Sequence, residues 1–124
     1  MKYLFDSNVI IRITLGIGDG LRDRAAACDD GDIVTSSIAF AEVALGSFRG
    51  RPPHLEQLQA FIQEVPVLGF DYKAACAYAE LPFKRASFDR LIAAHALSHD
   101  LTVITDNEAD FLDVPGLKVE NWTS

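Results

Sequence analysis

The chain has 124 residues, of which 49% are apolar and 23% are charged. This length and balance are typical of one folded domain and exclude a disordered chain, and a domain of this size buries roughly two-thirds of its unfolded surface. The net charge of −7 argues against a protein that coats nucleic acid through positive charge alone. It does not exclude a protein that approaches phosphate groups through bound cations.

The cysteines and the N-terminal segment indicate the cellular setting. Cys28 and Cys76 lack both CxxC spacing and a companion histidine pattern, which argues against a disulfide framework and against a zinc site. The apolar run 3–5 is too short for a signal peptide, and no apolar run approaches the length of a membrane span. We therefore expect a chain that acts in the reducing cytoplasm, without a membrane.

The N-terminal half alternates short apolar runs with longer helical patterns. Strands are predicted over 3–5 and 33–35. Ser36 or Ser37 is suited to cap the helix after the second strand. The predicted helices are one that carries Val9, Ile10 and Ile13, one over 21–29, one from Ile38 through Leu45, and one over 54–64.

The C-terminal half continues this βα pattern. Short strands are predicted over 67–68, 101–104 and 117–119. Two helices lie between them, one capped by Asp71 that ends near Pro82, and one over 88–99 that is capped by Ser87. The segment 84–87 is a basic connector between these helices.

Strands that are separated by helices are not joined as tight hairpins, so the sheet is predicted to be largely parallel. We expect one domain over 1–124, with a three-layer α/β/α architecture around a central sheet of four to five strands. Ligands of such sheets bind at the carboxyl ends of the strands. The residues that follow the strands are therefore the first candidates for a functional site.

Four acids stand at strand ends or on largely apolar helices, where a carboxylate is costly unless a partner or a metal compensates it. Asp6 ends the first strand, and Asp106 follows the strand over 101–104. Glu42 shares a helix face with Ile38 and Leu45, and Asp89 lies in the first turn of its helix. Carboxylates brought together repel unless cations hold them ionised, and ligation by oxygen alone favours Mg²⁺ or Mn²⁺.

Each acid also has a local explanation. Asp6 is suited to cap the following helix, and Asp106 stands in a common turn sequence. Asp89 is favoured at the positive end of a helix by about 0.3–1 kcal/mol, and the stem of Glu42 is long enough to reach water. Only the four acids taken together favour metal-dependent chemistry.

Four segments carry a resemblance to a known family. They are LFDSNVII at the start, AEV in the third helix, FDRLIAAHAL, and LTVITDNEADFLDVPGLKVENW near the end. In this order they resemble the PIN-domain ribonucleases, particularly the VapC-type toxins of VapBC toxin–antitoxin pairs, over nearly the whole chain. The resemblance implies a PIN-like fold and a Mg²⁺-dependent endoribonuclease, with Mn²⁺ as the alternative ion, that cuts single-stranded or loop RNA in tRNA, rRNA or mRNA.

The resemblance also implies residue roles. The catalytic acids would be Asp6, Glu42, Asp89 and Asp106. The metal ligands among them would be Asp6, Asp89 and Asp106, although many relatives carry Asn at the last position. Asn8 and Thr105 match supporting polar positions, and Asp110 is an additional acid whose role stays open. Metal-activated water would then leave a 5′-phosphate on the RNA product.

Contacts to RNA and to a partner complete the expected picture. Candidate phosphate contacts are Arg12, Arg85 and Arg90, whose alternative role is pairing with surface acids. The resemblance implies a VapB-type antitoxin that places a basic residue among the acids, and a homodimer within that complex. Apolar side chains that either line the antitoxin groove or belong to the core are Phe40, Phe48, Leu55, Leu58 and Phe61. The connector over 84–87 is shorter than in many such toxins.

Other protein classes are weighed against this hypothesis. A phosphatase of the haloacid dehalogenase type needs an Asp where this chain has Asn8, and a response-regulator receiver needs a lysine that does not follow Ile104. Two alternatives stay open, a non-catalytic PIN-fold binding module and a stand-alone PIN nuclease without an antitoxin.

Overall fold

A parallel sheet organises the chain. The computed structural model describes residues 1–123, except for the side chain of Asp19, so that Ser124 of the predicted domain over 1–124 lies outside the described residues. Within residues 1–123, five strands form one sheet in the order β3-β2-β1-β4-β5. In chain order the elements are β1 (Tyr3–Phe5), α1 (Ser7–Thr14), α2 (Asp19–Ala26), β2 (Ile33–Ser36), α3 (Ser37–Phe48), α4 (Leu55–Glu64), β3 (Val67–Leu68), α5 (Tyr72–Glu80), α6 (Phe88–Ser98), β4 (Thr102–Ile104), a 3₁₀ helix (Glu108–Phe111) and β5 (Lys118–Glu120).

The predicted fold class is confirmed. Every strand pairing in the described chain is parallel, with β1 between β2 and β4, so that Phe5 is paired with both Thr35 and Ile104. Helices connect successive strands and flank the sheet. No helix in the described chain has the length and apolar character needed to cross a membrane.

Element boundaries differ from the predictions by a few residues. The helix predicted over 21–29 is α2, which starts earlier because Gly18, with a φ of 91°, turns the chain directly into it. The cap that was left open is Ser36, whose hydroxyl accepts a hydrogen bond from the Ile38 amide at 3.1 Å. The 3₁₀ helix after β4 was not predicted, because a single turn carries no readable periodicity.

The strand order reverses between β1 and β4, and this reversal sets the position of the site. The chain moves outwards from β1 through β2 to β3 and then returns to the other side of β1 to form β4. The connection that follows β1 therefore runs to β2 on one side, and the connection that follows β4 runs to β5 on the other side, which opens a crevice at the carboxyl ends of these two strands. Asp6 follows β1 and Asp106 lies two residues beyond β4, at this switch point.

The core is built on the central strands and closed by the C-terminal segment. Leu4, Phe5 and Ile104 are fully buried. Trp122, which follows β5, is 2% exposed and packs edge-on against Tyr3, at a ring-centroid distance of 4.8 Å, and against Phe5, at 5.9 Å. Such aromatic contacts stabilise the core beyond the burial of area. The last described residues therefore hold the strand that carries the first acid.

This packing predicts a large effect of one substitution. We expect Trp122→Ala to lower the free energy of unfolding by about 3–5 kcal/mol, because it leaves a cavity over β1. Urea denaturation measures the change. Leu112→Ala is the control, since Leu112 is 81% exposed, and should change stability by less than about 0.5 kcal/mol. A Trp122→Ala protein as stable as the control would contradict the anchoring role.

Candidate functional site

Asp6 joins β1 to α1 and is the most buried of the four acids, with 5% of its surface exposed. Its Oδ1 accepts a hydrogen bond from the Val9 amide at 3.0 Å and thereby caps α1. Burial raises the pKa of Asp6 to about 6, with further increases from the charges of Asp106 and Asp89, although hydrogen bonds from Thr105 and Val9 oppose the shift. Asp6 is therefore an acid that is costly to keep ionised without a cation.

Asp106 lies beyond β4 and is bound by α1 side chains. Its Oδ2 accepts a hydrogen bond from Nε of Arg12 at 2.9 Å, and its Oδ1 accepts a longer one from Nδ2 of Asn8 at 3.5 Å. Asn8 and Arg12 are one helical turn apart, so they share a face of α1. Thr105, which is fully buried beside Asp106, accepts a hydrogen bond from the Asn107 amide at 3.0 Å. Asn8 and Thr105 thus lie beside Asp106, and their supporting role stays a prediction.

Glu42 reaches the site from α3. The packing of α1 against α3 allows Oγ of Ser7 to donate a hydrogen bond to Oε1 of Glu42 at 3.2 Å. Burial raises the pKa of Glu42, and the charge of Asp89 adds to this rise, while the Ser7 hydrogen bond opposes it. Ser7 was not among the predicted site residues. Its position directly after Asp6 was the only signal for it in the sequence.

Asp89 lies in the first turn of α6, after the Ser87 cap. It is half-buried, and its pKa is raised first by burial and then by the neighbouring charge of Asp110, on the 3₁₀ helix. Asp110 also accepts a hydrogen bond from Nδ2 of Asn107 at 3.0 Å. The structure thus brings the additional acid next to Asp89.

The acids influence one another through their charges but do not form a closed cage. Asp6 experiences the charges of both Asp89 and Asp106, and Glu42 experiences that of Asp89. Among the side chains that the structure describes, no three Asp, Glu, His or Cys residues converge closely enough to hold one metal ion. The four candidate metal-binding side chains are all carboxylates, and such a set fits a hard divalent cation. The burial of Asp6 beside like charges favours the binding of such a cation.

The three arginines predicted to contact RNA have different surroundings. Arg12 pairs with Asp106, and Arg85 is exposed in the connector between α5 and α6. Arg90 is only 6% exposed, and its Nη2 donates a hydrogen bond to the Pro82 carbonyl at 2.6 Å. This placement favours a structural role for Arg90, in which it holds the connector, rather than the predicted contact with RNA.

A separate groove of about 480 Å³ lies between helices α1, α2 and α4, and the four acids are not among its described lining residues. Ile13, Ala25 and Phe61 line it. Of the other side chains considered for an antitoxin groove, Leu58 is 2% exposed and belongs to the core, whereas Phe48 is 76% exposed. Phe61 is thus the one of these three that lines the groove.

Comparison with curated proteins agrees with this architecture. The family model described as PIN domain matches residues 3–117. The protein named tRNA(fMet)-specific endonuclease VapC from Shigella flexneri is 27% identical over 132 residues, and the alignment covers 99% of both chains.

Two solved structures have the same fold over almost their whole length. VapBC2 from Rickettsia felis, bound to a DNA fragment from its promoter, has a TM-score of 0.87 and 25% identity, covering 98% of this chain and 99% of that chain. DNA-bound VapBC from Salmonella typhimurium has a TM-score of 0.86 and 29% identity, covering 98% of both chains. Together with the family model, they confirm the resemblance that the four sequence segments indicated. The chain belongs to the PIN domain family.

Proposed function

We propose that the chain is a metal-dependent endoribonuclease and the toxin of a toxin–antitoxin pair. PIN nucleases are generally metal-dependent, and the curated relatives are named as VapC ribonucleases or endonucleases. The observation that carries the proposal is the buried carboxyl of Asp6, whose pKa is about 6, beside the charges of Asp89 and Asp106. Perturbed acids of this kind are concentrated at functional sites.

We assign Asp6, Asp89 and Asp106 as ligands of Mg²⁺, with Mn²⁺ as the alternative ion. A cation held there would stabilise charge at the phosphodiester and would lower the pKa of a water molecule. Glu42 would orient that water and accept its proton. The Ser7 hydroxyl donates to Oε1 of Glu42 and so fixes the carboxylate, which leaves Oε2 to accept from the water.

The same site defines the product. Water would attack the phosphorus in line, and the bond from phosphorus to the 3′ oxygen would break. The 3′ oxygen would take a proton from solvent and Glu42 would release to solvent the proton it had taken, which gives a 5′-phosphate on one fragment and a 3′-hydroxyl on the other. The 2′-hydroxyl of the RNA takes no part in this reaction. A 2′,3′-cyclic phosphate would require attack by that hydroxyl and would contradict the proposed roles of the acids.

The connector between α5 and α6 is the proposed RNA contact. Arg85 is exposed there, and Phe83 is 96% exposed, while Asp89 lies in the first turn of the helix that follows. A guanidinium pairs with a phosphate, and an exposed ring stacks on an unpaired base. We therefore assign Arg85 and Phe83 to binding single-stranded RNA next to the acids. The curated relatives make initiator tRNA the first substrate to test, followed by rRNA and mRNA.

The groove between α1, α2 and α4 is the proposed binding site of a VapB-type antitoxin. Its apolar lining includes Ile13, Ala25 and Phe61, and apolar grooves between helices bind amphipathic segments. The solved neighbours are VapBC complexes, which supports a protein partner of this kind. A homodimer within that complex and a cytoplasmic location remain part of the proposal, and the free cysteines Cys28 and Cys76 agree with a reducing compartment.

Cleavage of RNA tests the proposed activity. We expect partner-free protein to cut end-labelled tRNA at discrete sites with Mg²⁺ but not with EDTA, and to leave 5′-phosphate ends. Asp6→Asn should lower the rate more than about 100-fold, because it removes a metal ligand. Asp100→Asn is the matched control, since the side chain of Asp100 is 88% exposed before β4, at the opposite edge of the sheet, and should keep full activity.

The outcomes separate the alternatives. Folded protein that binds Mg²⁺ but cuts none of tRNA, rRNA and mRNA would favour a non-catalytic binding module. Active protein that purifies without any partner, even when it is produced from its native gene neighbourhood, would favour a stand-alone nuclease.

The buried carboxyl of Asp6 predicts a trade-off between function and stability. Its pKa is raised from 3.8 to about 6, so the folded metal-free state favours the protonated form. The protonated Asp6 therefore contributes fully to the free energy of unfolding below about pH 4, and this contribution is lost as the pH rises through 6 and the carboxyl ionises. At pH 7.5 in EDTA we expect Asp6→Asn to be more stable than wild type by up to about 3 kcal/mol, since Asn also caps the helix.

Denaturation at several pH values measures this difference. The gain should shrink towards pH 4, where Asp6 is protonated, and saturating Mg²⁺ should stabilise the wild type more than the variant. An Asp6→Asn protein that is less stable than wild type at pH 7.5 in EDTA would contradict the assigned burial cost.

Charge reversal tests the proposed RNA contact. We expect Arg85→Glu to raise KM for RNA about 5-fold with little change in kcat, because it removes a phosphate contact outside the acids. Lys118→Glu is the control, since Lys118 pairs with Asp100 at the opposite edge of the sheet. Equal KM values for the two variants would exclude Arg85 as a specific contact.

A further inference from the structure

The ion pair between Arg12 and Asp106 lies inside the acidic site. Nε of Arg12 is 2.9 Å from Oδ2 of Asp106, and the side chains of these residues are 38% and 16% exposed. The second oxygen of Asp106 faces Nδ2 of Asn8 at 3.5 Å. Both carboxylate oxygens are thus engaged by α1, and the negative charge of Asp106 is compensated within the chain.

This pair bears directly on the metal ligands. A guanidinium and a divalent cation repel each other, so binding both to one carboxylate is unfavourable. In the described structure Asp106 is engaged by α1, and no three potential ligands converge. Among the ion pairs of the described chain, none joins an arginine to Asp6 or to Asp89. Arg12 therefore acts on one acid of the site.

We propose that Arg12 is an internal competitor of the metal ion: it holds Asp106 in the metal-free protein and is displaced from it when a divalent cation binds. The inference rests on the proposed function, because it takes the same acids as ligands. It makes Arg12 a positioning residue, which sets the metal affinity through Asp106. Once displaced, the guanidinium is a cation beside the site that is available to a phosphate of the RNA.

Metal binding tests the proposal without any measurement of activity. Mg²⁺ affinity is measured by calorimetry at constant ionic strength for wild type, Arg12→Gln, Asp106→Asn and the double variant. We expect Arg12→Gln to bind Mg²⁺ roughly 3- to 10-fold more tightly, because the competing charge is gone. In the Asp106→Asn background the same substitution should change the affinity less than 2-fold, about the error of the measurement, because there is no pair left to break.

Two control variants separate competition from a general charge effect. Lys118→Gln removes one positive charge at the opposite edge of the sheet and should leave the Mg²⁺ affinity unchanged. Arg12→Lys keeps the charge and should stay closer to wild type than Arg12→Gln. Circular dichroism and urea denaturation confirm that each variant is folded.

The failing outcomes are distinct. An unchanged or weaker Mg²⁺ affinity in Arg12→Gln overturns the inference. An equal gain in Mg²⁺ affinity from Arg12→Gln in the wild-type and the Asp106→Asn backgrounds also overturns it. Both results leave the proposed function intact if wild type binds Mg²⁺ and cuts RNA. Wild-type protein that binds neither Mg²⁺ nor Mn²⁺ overturns the inference together with the proposed metal dependence.

Discussion

The site depends on the position of one carboxyl group, that of Asp6. The residue directly follows the central strand β1, caps α1 and stands at the point where the strand order reverses. The sheet buries it, and the same burial raises its pKa to about 6. A backbone arrangement that needs an acceptor at the start of α1 thus also places an acid with a raised pKa near the charges of Asp89 and Asp106. Capping accounts for an acceptor at this position, but it does not account for the neighbouring charges.

Helix α1 links the acids to the groove on the other side of the helix. Asn8 and Arg12 contact Asp106, whereas Ile13 and Thr14, at the end of the same helix, line the groove. A protein bound in the groove would therefore contact the helix that positions Ser7, Asn8 and Arg12.

The features of the fold that follow from local pattern were predictable from the sequence. Apolar runs placed the strands, and strand ends placed Asp6 and Asp106, because carboxyl ends of parallel strands share one edge. The pairing of Arg12 with Asp106 was not predictable, since these residues are 94 positions apart and meet only because β1 and β4 are neighbours. The buried position of Arg90 was not predictable either, because helical spacing does not show that a basic side chain turns inwards to the Pro82 carbonyl. The contact of Ser7 with Glu42 was not predictable either, because it arises only from the packing of α1 on α3.

The pairing of β1 with β4 also determines when the four acids can come together during synthesis. Phe5 and Ile104 are partners although they are about 100 residues apart in the chain, and contacts of such separation form late in folding. On the ribosome, β1 waits unpaired on one side until β4 has emerged, and Trp122 must follow before the core over β1 closes. A nascent chain therefore carries Asp6 and Glu42 long before it has Asp89 and Asp106 in place. The four acids come together only after β4 has paired with β1, so a nascent chain that stops before β4 holds Asp6 and Glu42 without the assembled site.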